Sequence, residues 1–534
     1  MKKNILIGAA WPYANLDMHI GHAVALLPSD IIARYYRLKG DNVFFVSGTD
    51  AHGSPITVRA KEEGISPLEV ANKYHDSFVK SFDGLNFSYD LYTTTTDSWH
   101  KEKVQEIFLK IKDNGYIYEK EELEPFCEQC DKFLSDREFT GVCIHCAGTA
   151  KGDQCDDCLT TLSSQEVKDK ICNICGAKPI DKPNKHLYFK LSAFQDLLTD
   201  YIKQYENTWR KNAVNESKKY LNWGLIDRAA TRDIDWGVEI PVRGYDDKRI
   251  YVWIEAVLGY LTTTLRVAKE QGIDIEPILK DQDNTLLYMV HGKDNIPFHT
   301  IFYPALLKAI DKDYVKPTHI ISSEYLNMND TKMSKSKGNL IPVNELLQTY
   351  ESDTTRYYFI ANNPEKKDNS FSLEDFINTH NKFLVGVIGN FVNRNLSFID
   401  KKFDGVIKAG TIDEKIKTET VNAYKEIGAL IEQGELRNAI EKATNYVVMG
   451  NKYYDDSQPW IHAKENSDKF NDISYTCAYI MANMTNLLSP FIPNGMDKLK
   501  GMLEIDNDNW SEVQLSGDIR IKDLELLYQR IDNK

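Results

Sequence analysis

The sequence predicts an α/β fold: a doubly wound parallel sheet, split by a cysteine-rich insertion and followed by an α-helical bundle. Three observations carry that expectation. Short apolar runs that end in polar loops alternate with helical spacing in two blocks on either side of residues 119–230. Eight of the nine cysteines fall between Cys127 and Cys175, where the alternation breaks. From about Asp375 onward, helical spacing continues without a strand run.

The first block opens at Ile5, Leu6 and Ile7, an unbroken apolar run suited to a strand covered on both faces. Turn formers follow, and His19-Ile20-Gly21-His22 opens the next helix. Free N–H groups and the dipole at a helix start favour phosphate, Gly21 allows close approach, and imidazoles at i and i+3 add two donors. Helical spacing from Val24 to Leu38, with Pro28 inside, stops at Gly40. A second strand, Asn42 to Ser47, ends in the polar loop Gly48 to Gly53, which makes Asp50 a candidate grip for a cationic group. Ser66-Pro67-Leu68-Glu69 reads as a capped helix start, and a further helix runs from about Ser98 to Asn114.

Four CxxC units follow: Cys127/Cys130, Cys143/Cys146, Cys155/Cys158 and Cys172/Cys175. Two such units supply the four thiolates of a tetrahedral zinc site, so the spacing predicts zinc knuckles. Nesting would give one ion Cys143, Cys146, Cys155 and Cys158, and the other Cys127, Cys130, Cys172 and Cys175. The sequence leaves that pairing open.

The sheet pattern is expected to resume over Asp235–Pro241, then Arg249–Trp253 as a strand feeding an apolar helix over Ile254–Leu265. Another strand, Leu286 to Val290, exits into the polar run His291 to His299, and Ile320-Ile321 marks one more. Beyond it, NDTKMSKSKGN at 329–339 reads as a flexible loop whose lysines can close over a polyphosphate. Cys477 lies in an apolar stretch and reads as core.

A chain of 534 residues is expected to form several domains. The boundaries read as 1–118 and 231–325 for the two halves of the sheet domain, and 119–230 for the insertion. Residues 326–375 form the lysine loop and linker, and 376–534 the helical domain. A net charge of −14 argues against indiscriminate polyanion binding and leaves nucleic acid to local basic patches. No secretory leader and no bilayer-spanning run is evident, so a cytoplasmic protein that does not enter membranes is expected, with metal-bound cysteines instead of disulfides.

The pairing of HIGH at 19–22 with KMSKS at 332–336 resembles the two signatures of class I aminoacyl-tRNA synthetases, with a Rossmann-type catalytic fold. Over nearly its whole length the sequence is similar to the methionyl-tRNA synthetase family. The shared segments are AWPYAN before HIGH, GTDAHG at 48–53, the cysteine knuckles, YVWIEAVLGY at 251–260, GKDNIPFH at 292–299, and NFVNRN and QPW in the helical region.

The resemblance implies that methionine and ATP give methionyl-adenylate and pyrophosphate, and that the methionyl group then passes to the 3′ end of tRNA for methionine. In that scheme His19 and His22 meet the phosphates and Lys332 and Lys335 stabilise the transition state. Gly21, Lys293, Asp294 and Ser334 complete the candidate ATP set, and Mg²⁺ accompanies ATP. Asp50 holds the substrate ammonium and Arg232 serves the activation step. The thioether pocket would comprise Trp11, Tyr13, Trp253, Ala256, Val257, Tyr260 and His299, where aromatic faces suit a polarizable sulfur. Trp11 and Val257 depart from the leucine and proline of many relatives. Asn390, Arg394 and Trp460 match the family's anticodon-reading positions; about two structural zinc ions per chain and a monomer are expected. Synthetases for isoleucine, valine or leucine carry an editing domain that the cysteine knuckles leave little room for, and those for cysteine place zinc at the substrate. A different class of reading, a zinc-knuckle nucleic-acid-binding protein, predicts binding without adenylate formation.

Overall fold

The computed structural model describes residues 2–135, 138–152, 154–158, 160, 162–328, 340–464 and 468–532. Its centre is a five-stranded parallel sheet of β1 (Asn4–Ala9), β2 (Asn42–Thr49), β3 (Leu91–Thr94), β4 (Thr285–Gly292) and β5 (His319–Ser323), in the order β5-β4-β1-β2-β3. That is the doubly wound order, and its switch point lies between β1 and β4, which pair from Asn4↔Thr285 to Ala9↔Val290. The apolar runs alternate between two buried layers. Ile5, Ile7, Phe45, Tyr288 and Val290 face a core shared with the helical region. Leu6, Phe44, Val46, Leu287 and Met289 face a second core on the opposite side.

Helix α1 (Ile20–Leu38) follows β1 and carries Pro28 without ending there. Helix α2 (Ser98–Asp113) leads into the insertion, and α3 (Val252–Glu270) returns the chain to the second core. The insertion begins as a long antiparallel arm, Ile117–Cys127 against Ile180–Phe189, which carries the cysteine knuckles at its far end. Two helices not evident as such in the sequence, Gln195–Tyr205 and Lys211–Trp223, then bring Leu198, Tyr201, Ile202 and Val214 into the second core, with Trp209 from the connection between them.

Three local expectations are corrected. Residues 235–241 form no strand, because Asp235, Gly237 and Pro241 punctuate the run; only Glu239 bridges to Arg249. The strand expected over Arg249–Trp253 is only Arg249–Ile250, and Trp253 already lies on α3. Helix wins there because Trp253, Ala256, Val257 and Tyr260 share one helical face, whatever the strand propensity of Val252 and Trp253. The helical region also contains a two-strand pair, Val406–Ile407 with Ile519–Arg520, and no helix is assigned beyond Leu503 among the described residues. No described helix is long and apolar enough to cross a membrane.

Beyond the sheet, α4 (Asn390–Phe403), α5 (Glu414–Glu432), α6 (Leu436–Ser457), α7 (Asp468–Leu488) and α8 (Pro493–Leu503) pack around one core. Cys477 is buried in it, as read from the sequence.

Candidate functional site

The exits of β1, β2 and β4 converge at the switch point. His19 is the N-cap of α1; its Nδ1 accepts the Gly21 N–H at 3.1 Å, while the His19 N–H donates to His22 Nδ1 at 3.4 Å. The two rings stack with centroids 3.8 Å apart. Burial pushes His19 down to about 4, and burial together with His19 holds His22 well below the ordinary histidine range. Both rings are therefore neutral near pH 7, and since each Nδ1 accepts a hydrogen bond, each proton sits on Nε2. The pair offers two neutral N–H donors beside a helix N-terminus, an arrangement that fits phosphate oxygens.

Lys332, Ser334 and Lys335 lie outside the described residues. The chain immediately after that stretch is tied to the histidine turn: Ile20 N–H donates to the Ile341 carbonyl at 3.0 Å and Val343 N–H to the Met18 carbonyl at 2.8 Å.

At the exit of β2, Asp50 is locked by its backbone, with Ala14 N–H donating to its carbonyl and its own N–H donating to Pro12, each at 2.9 Å. Its side chain is buried and Oδ1 has no hydrogen-bond partner. Burial first, then the Glu255 charge, push its carboxyl well above the usual carboxylate range. A cation delivered here would relieve both penalties.

The aromatic pocket forms as a unit. Trp253 stacks on Phe298 at 4.0 Å and meets Tyr13 edge-on at 5.9 Å. His299 Nδ1–H donates to the Asn295 carbonyl at 2.7 Å, which leaves Nε2 to accept the Tyr260 hydroxyl at 2.8 Å. Burial holds His299 down to about 4, so it is neutral. His299 sits in a π-helical turn, Phe298–Phe302, a geometry often found at functional sites. Ala256 and Val257 are buried on the α3 face beside Trp253. Trp11 packs near Tyr260, with ring centroids 6.4 Å apart.

Arg232 donates to the Ala229 and Thr231 carbonyls and lies over the Tyr251 ring at 3.7 Å, lining a pocket with Tyr13, Asp233's neighbour Ile234 and Trp253. Lys293 is held by Glu324 at 2.7 Å and Asp368 at 2.8 Å, and Asp294 accepts the Tyr325 hydroxyl. Sequence reasoning missed His52, His100 and Glu255, a buried group beside Asp50. Glu255 is the acidic residue of an otherwise apolar helical run, and that was the available signal.

The cysteines assemble in the nested pairing. Cys127, Cys130, Cys172 and Cys175 form one tetrad and Cys143, Cys146, Cys155 and Cys158 the other. Sulfur separations of 3.4 and 3.9 Å in the first and 4.0 and 3.4 Å in the second approach the ~3.8 Å of a tetrahedral zinc–thiolate site. N–H groups of His145, Gly148 and Cys158 donate to the sulfurs of Cys143, Cys146 and Cys155... respectively. Both tetrads can hold a metal ion.

In the helical region Arg394 donates to Asp455 at 2.8 Å and to the Asn451 carbonyl at 2.7 Å, and lies over the Tyr454 ring. Asn390 bonds to Asn451 at 3.5 Å, and Trp460, 40% exposed, has its ring 5.8 Å from Tyr454. The three candidate residues thus share one face around α6.

The family described as tRNA synthetases class I (M) matches residues 5–396, and the anticodon binding domain of methionyl tRNA ligase matches residues 406–521. The chain is 43% identical to methionine–tRNA ligase 1 of Alkaliphilus oremlandii over 532 residues, covering 99% of this chain and 98% of the relative. It is 44% identical to a methionine–tRNA ligase of Bacillus cereus, covering 99% and 97%. A crystal structure of Mycobacterium tuberculosis methionyl-tRNA synthetase bound by methionyl-adenylate shares the fold, with TM-score 0.81, 24% identity, and 99% and 100% coverage. The chain belongs to the methionine-type class I tRNA synthetases.

Proposed function

We propose that the chain ligates methionine to tRNA in two steps at the β1–β4 switch point. Methionine attacks the α-phosphate of ATP in line through a carboxylate oxygen, releasing pyrophosphate, and the adenylate then passes its methionyl group to the 3′ end of tRNA for methionine, serving initiation and elongation. The observation that carries this reading is a stacked histidine pair, each Nδ1 accepting a backbone N–H at a helix N-terminus, in the loop after β1 that bridges through Tyr13 to Asp50, a buried carboxyl whose Oδ1 lacks a partner.

His19 and His22 act as hydrogen-bond donors to the phosphates and do not act as bases, with Gly21 allowing close approach. Asp50 takes the ammonium group, which fixes the attacking carboxylate by proximity. Tyr13, Trp253, Ala256, Val257, Tyr260 and His299 enclose the thioether, and Trp11 backs that pocket. Neutral His299, with its tautomer set by Asn295, presents no charge to the sulfur. Lys332, Ser334 and Lys335 meet the polyphosphate; Arg232, Lys293 and Asp294 contribute at the rim. Mg²⁺ bound with ATP supplies charge neutralisation. Asn390, Arg394 and Trp460 read the anticodon, Trp460 by stacking on an unpaired base. Each cysteine tetrad holds a structural zinc ion. The chain acts as a cytoplasmic monomer divided at about residues 118, 230, 325 and 375.

Amino-acid-dependent pyrophosphate exchange followed by aminoacylation of purified tRNAs tests the proposal. Exchange with methionine and charging of tRNA for methionine are expected; exchange with leucine or valine in the absence of any with methionine would overturn it.

A further inference from the structure

Beside Asp50 lies a buried chain of polar groups that the steps above do not use. Glu255 Oε1 on α3 is 2.5 Å from His52 Nδ1 and 3.6 Å from His100 Nε2, and His100 Nδ1 lies 2.9 Å from Thr262 Oγ1, two turns further along α3. None of His52, His100, Glu255 or Thr262 is more than 1% exposed. Trp236 packs edge-on to His52 and its indole N–H donates to the Ala51 carbonyl at 2.6 Å, so the loop carrying Asp50 is held from both sides. Glu255 Oε2, His52 Nε2 and His100 Nε2 are buried without hydrogen-bond partners, as is Asp50 Oδ1. Apolar side chains of similar volume would stabilise such a site equally well or better, so stability alone does not account for a charged group there.

We propose that Glu255, held by His52 with His100 close beside it, is a positioning residue for the amino-acid end of the site: it fixes the Asp50–His52 loop and adds a second negative charge to the field that receives the substrate's ammonium group. This rests on the reading that Asp50 binds that ammonium. The titratable groups around Asp50 are His52 on its own loop, Glu255 and Tyr260 on α3, His100 on α2, and Tyr13 at the β1 exit. The His52 N–H donates to the Asp50 carboxyl, so one loop couples the two acids. With Glu255 ionised, Asp50 takes up a proton more readily, and methionine affinity therefore falls on acidification. Removing the Glu255 charge lets Asp50 stay ionised to lower pH.

The test is methionine binding and exchange kinetics across about pH 5 to 8 for the parent, Asp50→Asn, Glu255→Gln and Glu255→Asp. Asp50→Asn is expected to raise the methionine KM at least about 100-fold with the ATP KM unchanged; no change there refutes the ammonium reading itself. Glu255→Gln is expected to raise the methionine KM about tenfold near neutral pH, with the ATP KM unchanged, and to move the acid limb to lower pH. Glu255→Asp keeps the limb of the parent. A strong Asp50→Asn effect beside a Glu255→Gln protein with the parent's affinity and acid limb overturns the proposal. Should Glu255→Gln not fold, His52→Asn, which keeps an N–H for Glu255, is expected to retain the methionine KM, and His52→Leu to raise it about tenfold; equal values for the two overturn the proposal.

Discussion

The Trp11 indole occupies the space a side chain on Gly259 would take: a Cβ there would lie 2.6 Å from Cζ2, and one on Gly48 would lie 2.6 Å from Cη2. A tryptophan fits between β2 and α3 because both flanking positions lack a Cβ. In an exposed helix Gly→Ala adds roughly 0.5–1 kcal/mol of stability, but here the ring is wedged, and overpacking costs about 1–3 kcal/mol. Gly259→Ala is therefore expected to lower stability in urea and raise the methionine KM. Adding Trp11→Leu to Gly259→Ala should restore much of both. A double variant no more stable than Gly259→Ala alone would show that the clash lies elsewhere.

The stacked histidine pair makes a pH prediction. Because burial lowers His19 to about 4 and His22 below its ordinary value, both are neutral from mildly acid pH upward, so the exchange rate should show no inflexion from them near pH 6.5. The unfolded chain protonates these rings below about pH 6.5, whereas the native chain does not until lower pH. Their neutral native form thus favours folding less and less as pH falls from about 6.5 toward 4. His22→Ala should lower the exchange rate by at least about 10²-fold, as loss of a transition-state donor does, with fold intact by circular dichroism.

Much of the catalytic frame was legible from sequence because it rests on short-range patterns. Ile5-Leu6-Ile7 reads as a strand covered on both faces, and Ser66 with Glu69 forms the expected capping box. The cysteine spacing gave two candidate tetrads. What escaped were arrangements set by distant segments. Trp253 joins a helix because α3 packs on the second core, Gln195–Tyr205 and Lys211–Trp223 were hidden in a stretch dominated by the knuckles, and Glu255 meets His52 across 203 residues.

The nested tetrads predict about two zinc ions per chain by elemental analysis. Cys130→Ala removes a ligand of the first tetrad and leaves all four of the second, so a loss of about one equivalent is expected. A loss of both from this single change would contradict the nested pairing. Chelation should unfold the knuckle region, which has only a small cysteine-lined core, while the central sheet keeps its circular dichroism.

Arg394 is held by Asp455 and the Asn451 carbonyl, on the same face as exposed Trp460. Since these groups lie on the helical region and the proposed activation site lies at the sheet, the two activities should separate. Arg394→Ala and Trp460→Ala are each expected to reduce tRNA charging by about tenfold or more, in keeping with lost base contacts of roughly 1–3 kcal/mol. Pyrophosphate exchange should stay within about twofold of the parent in both. An equal fall in exchange would assign these side chains to folding.

The two regions are also joined by an ion pair. Arg356 Nη2 meets Asp30 Oδ2 at 2.7 Å, both side chains fully buried, and the guanidinium also donates to the carbonyls of Leu85, Pro490 and Phe491. One arginine thus ties α1 of the sheet domain to the chain between α7 and α8. Burial pushes Asp30 up, but Arg356 and Arg34 outweigh it and hold the carboxyl below its usual range. A depressed carboxylate stabilises the fold above its unfolded pKa of about 3.9, and that contribution is lost as pH falls through the lower native value. Arg356→Met leaves Asp30 with Arg34 and Ser88 alone, and should cost about 3–5 kcal/mol in urea unfolding. It should also move the acid unfolding limb to higher pH. Asp30→Leu combined with Arg356→Met removes both buried charges, so it should recover part of the loss at neutral pH and abolish the acid shift. A double variant as unstable as Arg356→Met would mean that the carbonyl contacts, which the arginine alone supplies, hold the two regions together.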